Sequence, residues 1–218
     1  LPELSPFIYR NALTRKMQAN FIARYAVNDL NLKRFVVFFP DETFGEELRI
    51  AFSEEVHALG AEIIANVSYD RAQTDFKKQI LSIGGVSDSE LKKLTLEKLT
   101  AEQGEKNNLH KRGVPFSRPI VEKGVWNEQD VEGLKVTLEL SYDAIFIPGF
   151  YDKVALIVPQ LAFYNLDRVT LLGTSGWNHP ELLKSAGKFL NNRGIFVDGF
   201  FKDSMDERVQ DFVHNFKK

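Results

Sequence analysis

Residues Phe35-Val36-Val37-Phe38-Phe39 form an unbroken apolar run closed by Pro40. A run of this kind leaves no face for water. A strand built from it must be covered on both sides, as strands of a parallel sheet are. Further along, Ala144-Ile145-Phe146-Ile147 and Val169-Thr170-Leu171-Leu172 repeat the pattern, and Ala61 to Val67 and Gly194 to Val197 add two further candidates. Between them lie stretches of helical period. Leu48, Phe52, Val56 and Leu59 make one stripe over 45–59, stopped by Gly60. Thr74 opens a short helix with Phe76, Ile80 and Leu81. Asp152 to Tyr164 turns Val154, Ala155, Ile157, Val158, Leu161 and Ala162 inward, with a kink or local break expected at Pro159. Pro180 starts a helix with Leu183, Ala186 and Leu190, and a last helix aligns Val209, Phe212, Val213 and Phe216. Ahead of the first strand, Thr14 can cap a helix whose face would be Met17, Phe21, Ile22, Tyr25 and Ala26.

Strand and helix alternate, so the expected fold is α/β: a three-layer α/β/α sandwich on a mainly parallel sheet with right-handed crossovers. The pattern breaks at Gly84-Gly85. Residues 84–136 read as an insertion, with one polar helix over 87–102 and then a charged loop. A weak strand over 136–140 follows, and the whole of 1–218 is taken as one domain.

Composition narrows the function classes. An apolar share of 44% suffices for a sizeable core, and a net charge of -2 from interspersed acids and bases supplies no field for a nucleic acid. With no cysteine, thiolate catalysis, disulfides and Cys-based zinc sites are excluded. No apolar run approaches the ~20 residues of a membrane span, and no leader-like segment is present. The chain opens at Leu1 rather than Met, as an excised or processed piece would, so its missing leader leaves the parent's compartment open.

Enzyme and cofactor motifs are not found. Gly173-Thr174-Ser175-Gly176 lacks the Gly-x-Ser-x-Gly of a nucleophile elbow, and no phosphate-binding glycine loop occurs. His57, His110, His179 and His214 are scattered, with no His-x-x-x-His pair for a metal. Asp41-Glu42 has the placement of a phosphoacceptor pocket, but Pro148 stands where the third strand would need an acid. Lys106, His110, Lys111 and Arg112 are balanced by Glu102, Glu105 and Glu122, as on a solvated loop.

In an open parallel sheet, ligands sit beyond the carboxyl ends of the strands, where helix amino-termini offer unpaired N–H groups. Three loops qualify, over 40–45, 148–151 and 173–178. They carry Asp41, Thr43 and Phe44; Phe150 and Tyr151; Thr174, Ser175 and Trp177. Each aromatic taken singly also suits a turn that packs locally. Together the loops have the aromatic and polar mix of a small-molecule site.

The same loops carry a resemblance. Phe35 to Ala51, with Pro-Asp-Glu-Thr-Phe-Gly at the turn, is similar to the strand, turn and helix of type I periplasmic solute-binding proteins of the leucine/isoleucine/valine-binding kind. Gly60-Ala61, Tyr69, Thr74-Asp75-Phe76, Asp143 to Pro148, Pro159 to Tyr164 and Leu171 to Trp177 follow the series. The bacterial penicillin-binding protein activators are the subgroup it most resembles. The resemblance implies a two-lobed receptor of the bacterial envelope, periplasmic or tethered to the outer membrane. It further implies that this chain corresponds to the second lobe and that the first lobe of the parent is to be expected outside it. It implies a small polar, amino-acid-like ligand contacted by Phe44 and by Phe150 or Tyr151, without catalysis or cofactor. The family's acidic position after the fourth strand falls on Ser175. A neutral hydroxyl cannot supply the charge-assisted bond that a buried ammonium needs, unless Asp41 or Asp152 turns inward. An envelope protein partner in cell-wall synthesis is the alternative that the activator subgroup implies.

Overall fold

The computed structural model describes residues 12–84, 142–166, 168–190, 192–201 and 203–216. The insertion over 84–136 lies outside the described residues apart from Gly84, as does the strand expected over 136–140. The elements run α1 (Arg15–Arg24), β1 (Arg34–Pro40), α2 (Thr43–Ala58), β2 (Glu62–Tyr69), α3 (Lys77–Ile83) and β3 (Ala144–Phe146). They continue with α4 (Tyr151–Phe163), β4 (Thr170–Gly173), α5 (Pro180–Leu190), β5 (Gly194–Phe196) and α6 (Glu207–Phe216). All five strands are parallel, in the order β2-β1-β3-β4-β5. The expected sandwich is the observed one, with cores on both faces of the sheet.

β1 shows why the unbroken apolar run is needed. Phe35, Val37 and Phe39 enter a core with Ala19, Ile22 and Ala23 of α1 and Leu48, Phe52 and Val56 of α2. Val36 and Phe38 enter the opposite core, with Ile80 of α3, Val154, Ile157 and Leu161 of α4, and Ala186 of α5. Alternate residues of one strand serve two cores, so neither parity can be polar. β2 lies at the edge and its outward residues Glu62, Asn66 and Ser68 are exposed. A register shift between Phe35 and Val36 pairs Val36 with Ala65 and skips Ile64, which is left exposed.

Three expectations are corrected. The inward face of α1 is Ala19, Ile22 and Ala23, continued by Ala26, while Met17, Phe21 and Tyr25 are exposed. Small residues let α1 lie close on its neighbours, and the helix widens to a π turn over Tyr25–Asp29. Thr14 does cap it, accepting from Met17 N at 3.1 Å. In α5, Leu182 rather than Leu183 is buried. α4 passes Pro159 without the local break that was one of the two outcomes expected there. α3 begins at Lys77, three residues after Thr74, because Gln160 holds 74–76 as a turn. Its Oε1 accepts from Phe76 N at 2.8 Å and its Nε2 donates to Thr74 O at 2.9 Å.

The strand order places a topological switch between β1 and β3. The chain leaves β1 for β2 on one side and later returns to β3 on the other. The loops after β1 and β3 therefore diverge, opening a crevice at their carboxyl ends.

Candidate functional site

The loops after β1, β3 and β4 share one rim, because those strands are neighbours in the sheet. The first loop is shaped by backbone contact. Glu42 N donates to Pro40 O, and Asp41 N donates to Tyr69 O at the end of β2, both at 2.8 Å. Gly45 lies so close that a Cβ there would stand 2.0 Å from Pro40 O, so only glycine closes the Pro-Asp-Glu-Thr-Phe-Gly turn. This folding-back puts Asp41 and Thr43 at the surface and leaves Phe44 half-buried over the switch crevice.

The second loop meets it there. Pro148 and Gly149 are buried, and Phe150 precedes α4 with 46% of its surface exposed. The rings of Phe44 and Phe150 stack with centroids 5.1 Å apart and planes 19° from parallel. The Arg15 guanidinium sits 5.1 Å from the Phe44 ring centroid and pairs with Glu47 at 2.9 Å. One residue on, Tyr151 stacks on His179 at 3.7 Å and 10°.

The third loop is a short 3-10 turn, Ser175–Trp177. Trp177 lies beneath the rim: it is 2% exposed, and its indole N–H donates to Ile147 O at 3.1 Å. Its ring fills the space above Gly173, where a Cβ would stand 2.3 Å away. Thr174 is equally buried, and its Oγ1 has no hydrogen-bond partner. Ser175 is partly open, and its N–H donates to Gln18 Oε1 of α1 at 3.0 Å. A Cβ on Gly176 would stand 2.8 Å from Gly149 O, which measures how tightly the second and third loops adjoin.

The eight residues singled out in the sequence thus separate by depth. Phe44, Phe150, Tyr151 and Ser175 form the open rim, Asp41 and Thr43 flank it, and Thr174 and Trp177 support it from below. Under the rim, the Tyr69 hydroxyl is buried without a partner. Burial holds its pKa above the ordinary phenol value, with Asp152 and Glu42 adding to the effect. A neutral phenol is therefore fixed there across the physiological range.

Arg15, Gln18 and His179 were not foreseen as rim residues. Gln18 and Ser175 are 157 positions apart, and no local pattern reports such a meeting. Among the described residues no group of three or more His, Cys, Asp or Glu could hold a metal, and no helix is long and apolar enough to cross a membrane.

A parallel 2-1-3-4-5 sheet with an aromatic pair at its switch point defines a class: this is the fold of one lobe of a type I periplasmic binding protein. Solved structures of that fold are similar to most of the chain. One is a putative branched-chain amino acid ABC transporter protein from Rhodospirillum rubrum: TM-score 0.64, 13% identity, 99% of this chain and 46% of that chain covered. A solute-binding protein of an ABC transporter from R. palustris, in complex with benzoate, gives 0.60 and 13%, covering 98% and 43%. A leucine-binding protein from Thermotoga maritima gives 0.52 and 19%, covering 84% and 37%. The chain spans less than half the length of these structures. No protein-family model and no curated protein matches the sequence.

Proposed function

We propose that the chain is a non-catalytic, ligand-binding lobe of a receptor in the bacterial envelope, one that contributes a wall of a cleft for a small polar molecule. The observation that carries this reading is the Phe44–Phe150 stack at the switch crevice, flanked by Ser175 on the same rim. A flat, half-exposed apolar surface ringed by Asp41, Thr43, Tyr151 and Ser175 suits a ligand with one apolar face and polar edges. The similar structures described as leucine-binding and as holding benzoate support that ligand size and character.

The opposing wall is assigned to a first lobe of the same parent chain. The apolar side of α6 supports this assignment. No residue of that helix is buried, and Phe216 is 80% exposed beside Phe212 and Phe200. An apolar face left this open marks a surface for another body to cover.

The test is an amide NMR titration of the 15N-labelled chain with leucine, isoleucine and benzoate. Shifts confined to 41–45, 149–152 and 174–178 are expected with at least one of them. Ligand-induced shifts placed elsewhere, or none at millimolar concentration, would remove the receptor reading. The neutral Ser175 favours a second reading, an interaction module regulating cell-wall synthesis. That reading expects capture of a peptidoglycan synthase, lost on deletion of 87–135, and no small-molecule shift at the rim.

A further inference from the structure

Tyr151 of the open rim is held by a side chain from the start of α5. Its ring stacks on the His179 imidazole with centroids 3.7 Å apart and planes 10° from parallel. His179 in turn opens that helix: its carbonyl accepts from Leu182 N at 3.1 Å, and its Nδ1 accepts from Glu181 N at 3.2 Å. Pro180 has no N–H, so His179 satisfies the first two donors of α5, one of them through its side chain. We infer that His179 is a proton-sensitive positioning residue of the rim. Neutral, it caps α5 and fixes the Tyr151 ring; protonated, it gives up the cap and loosens the ring. The inference rests on the reading of the rim as a small-molecule receptor and adds a regulation of that site by acidity.

Three observations support it. First, the cap sets the charge of the ring. A nitrogen that accepts carries no proton, so the capping imidazole is neutral with its proton on Nε2. An imidazolium has two donors and no acceptor, and it would place a positive charge at the positive end of the helix dipole. Protonation strengthens only the stack, since a cation is attracted to an aromatic face. It acts against the cap twice, through the lost acceptor and through the dipole. Second, the charged groups on the packed elements are already engaged. Glu181 of α5 pairs with Lys184 at 2.6 Å. At the start of α4, Asp152 acts on the Tyr69 hydroxyl and Lys153 donates to Gln73 O at 3.0 Å, both on the β2 side. After β5, Asp198 accepts from Gly199 N and from Asn178 Nδ2. Third, His179 is half-buried, open enough to exchange a proton with water and enclosed enough for Tyr151 to fix its ring.

The experiment titrates the full 15N-labelled chain from about pH 8 to about pH 5, the range in which imidazoles change charge. The His179 ring, the Glu181 amide and the Tyr151 amide are expected to move together with one midpoint, while the other histidines titrate without moving Tyr151. Two variants separate the cap from the stack. His179→Phe keeps an aromatic partner for Tyr151 without an acceptor, and His179→Asn keeps an acceptor for the cap without the ring. Both should erase the pH response of Tyr151. In the wild type, the leucine or benzoate response at 149–152 should weaken about threefold or more between the two ends of that range. In His179→Phe it should not change with pH. A Tyr151 amide that stays still while the His179 ring titrates, a Glu181 amide that does not follow, or a pH response that survives in His179→Phe would overturn the inference. If that happens while leucine or benzoate still shifts 41–45, the receptor reading stands and the role of His179 alone fails. If Tyr151 follows His179 and neither ligand shifts the rim, the coupling of ring and proton stands and the receptor reading fails.

Discussion

The two ends of the sheet are built to opposite plans. At the amino-terminal edge, long-range hydrogen bonds tie the strand entries, though the Tyr142 hydroxyl is buried there without a partner. Asp143 Oδ2 accepts from both Lys33 N and Arg34 N at 2.9 Å, joining the entries of β1 and β3. Arg193 gives its guanidinium to Leu166 O, Val169 O and Phe189 O, closing the entries of β4 and β5. At the carboxyl rim, buried hydroxyls of Tyr69 and Thr174 go without partners, and an aromatic ring stands half in water. The difference teaches where the molecule spends its order. One edge is clamped by side chains that reach across its strand entries, while the other leaves the Phe44–Phe150 pair half uncovered.

Substitutions can break or sharpen that contrast. The largest effect belongs to the prop between core and rim. Trp177→Ala should cost about 3–5 kcal/mol in chemical denaturation, as large buried aromatics do. A loss below 1 kcal/mol would mean that the rim does not depend on the core below it. Next is the tied edge. Asp143→Asn replaces a charged acceptor of two backbone N–H groups and should cost about 1.5–3 kcal/mol. Its pKa lies below the ordinary carboxylate value. Burial opposes this, but the Lys33 and Arg34 backbone bonds and the Arg34 charge together outweigh it. A depressed folded pKa means that this stabilisation is present above the unfolded value near ~3.9 and fades as pH falls through the folded one. Acid denaturation curves of the wild type and Asp143→Asn should therefore converge at low pH.

Smaller effects are expected at the rim itself. Phe150→Ala should change stability by less than about 1 kcal/mol, since half the ring is already in water. It should abolish any ligand-induced shift at 149–152. Smallest of all, Tyr69→Phe removes a hydroxyl with no partner and should be neutral or slightly stabilising. The raised phenol pKa stabilises the fold below the unfolded value near ~10 in a way that is lost as pH rises beyond it. The phenylalanine variant should shed that part of the alkaline sensitivity.

Much of this architecture was legible in the sequence. All five strands were expected where they lie, three of them from continuous apolar runs, because burial on both faces leaves no room for polar residues. The three rim loops were found by the rule that relates strand ends to ligand sites. What escaped depended on distance and size. The α1 face was misassigned because Met17, Phe21 and Tyr25 are the large apolar residues, whereas close packing there uses Ala19 and Ala23. Residue type alone could not sort Trp177 below the rim from Phe150 upon it. That sorting follows from the absence of a side chain at Gly173.

Gln160 bridges 84 and 86 positions to hold Phe76 and Thr74, and Asp143 bridges 110 and 109 to hold Lys33 and Arg34. The stretch between Gly84 and Tyr142 therefore departs from one anchored post and returns to another. A reporter or an affinity handle spliced in between those two positions should therefore leave both posts standing, since every residue that closes them lies outside that stretch.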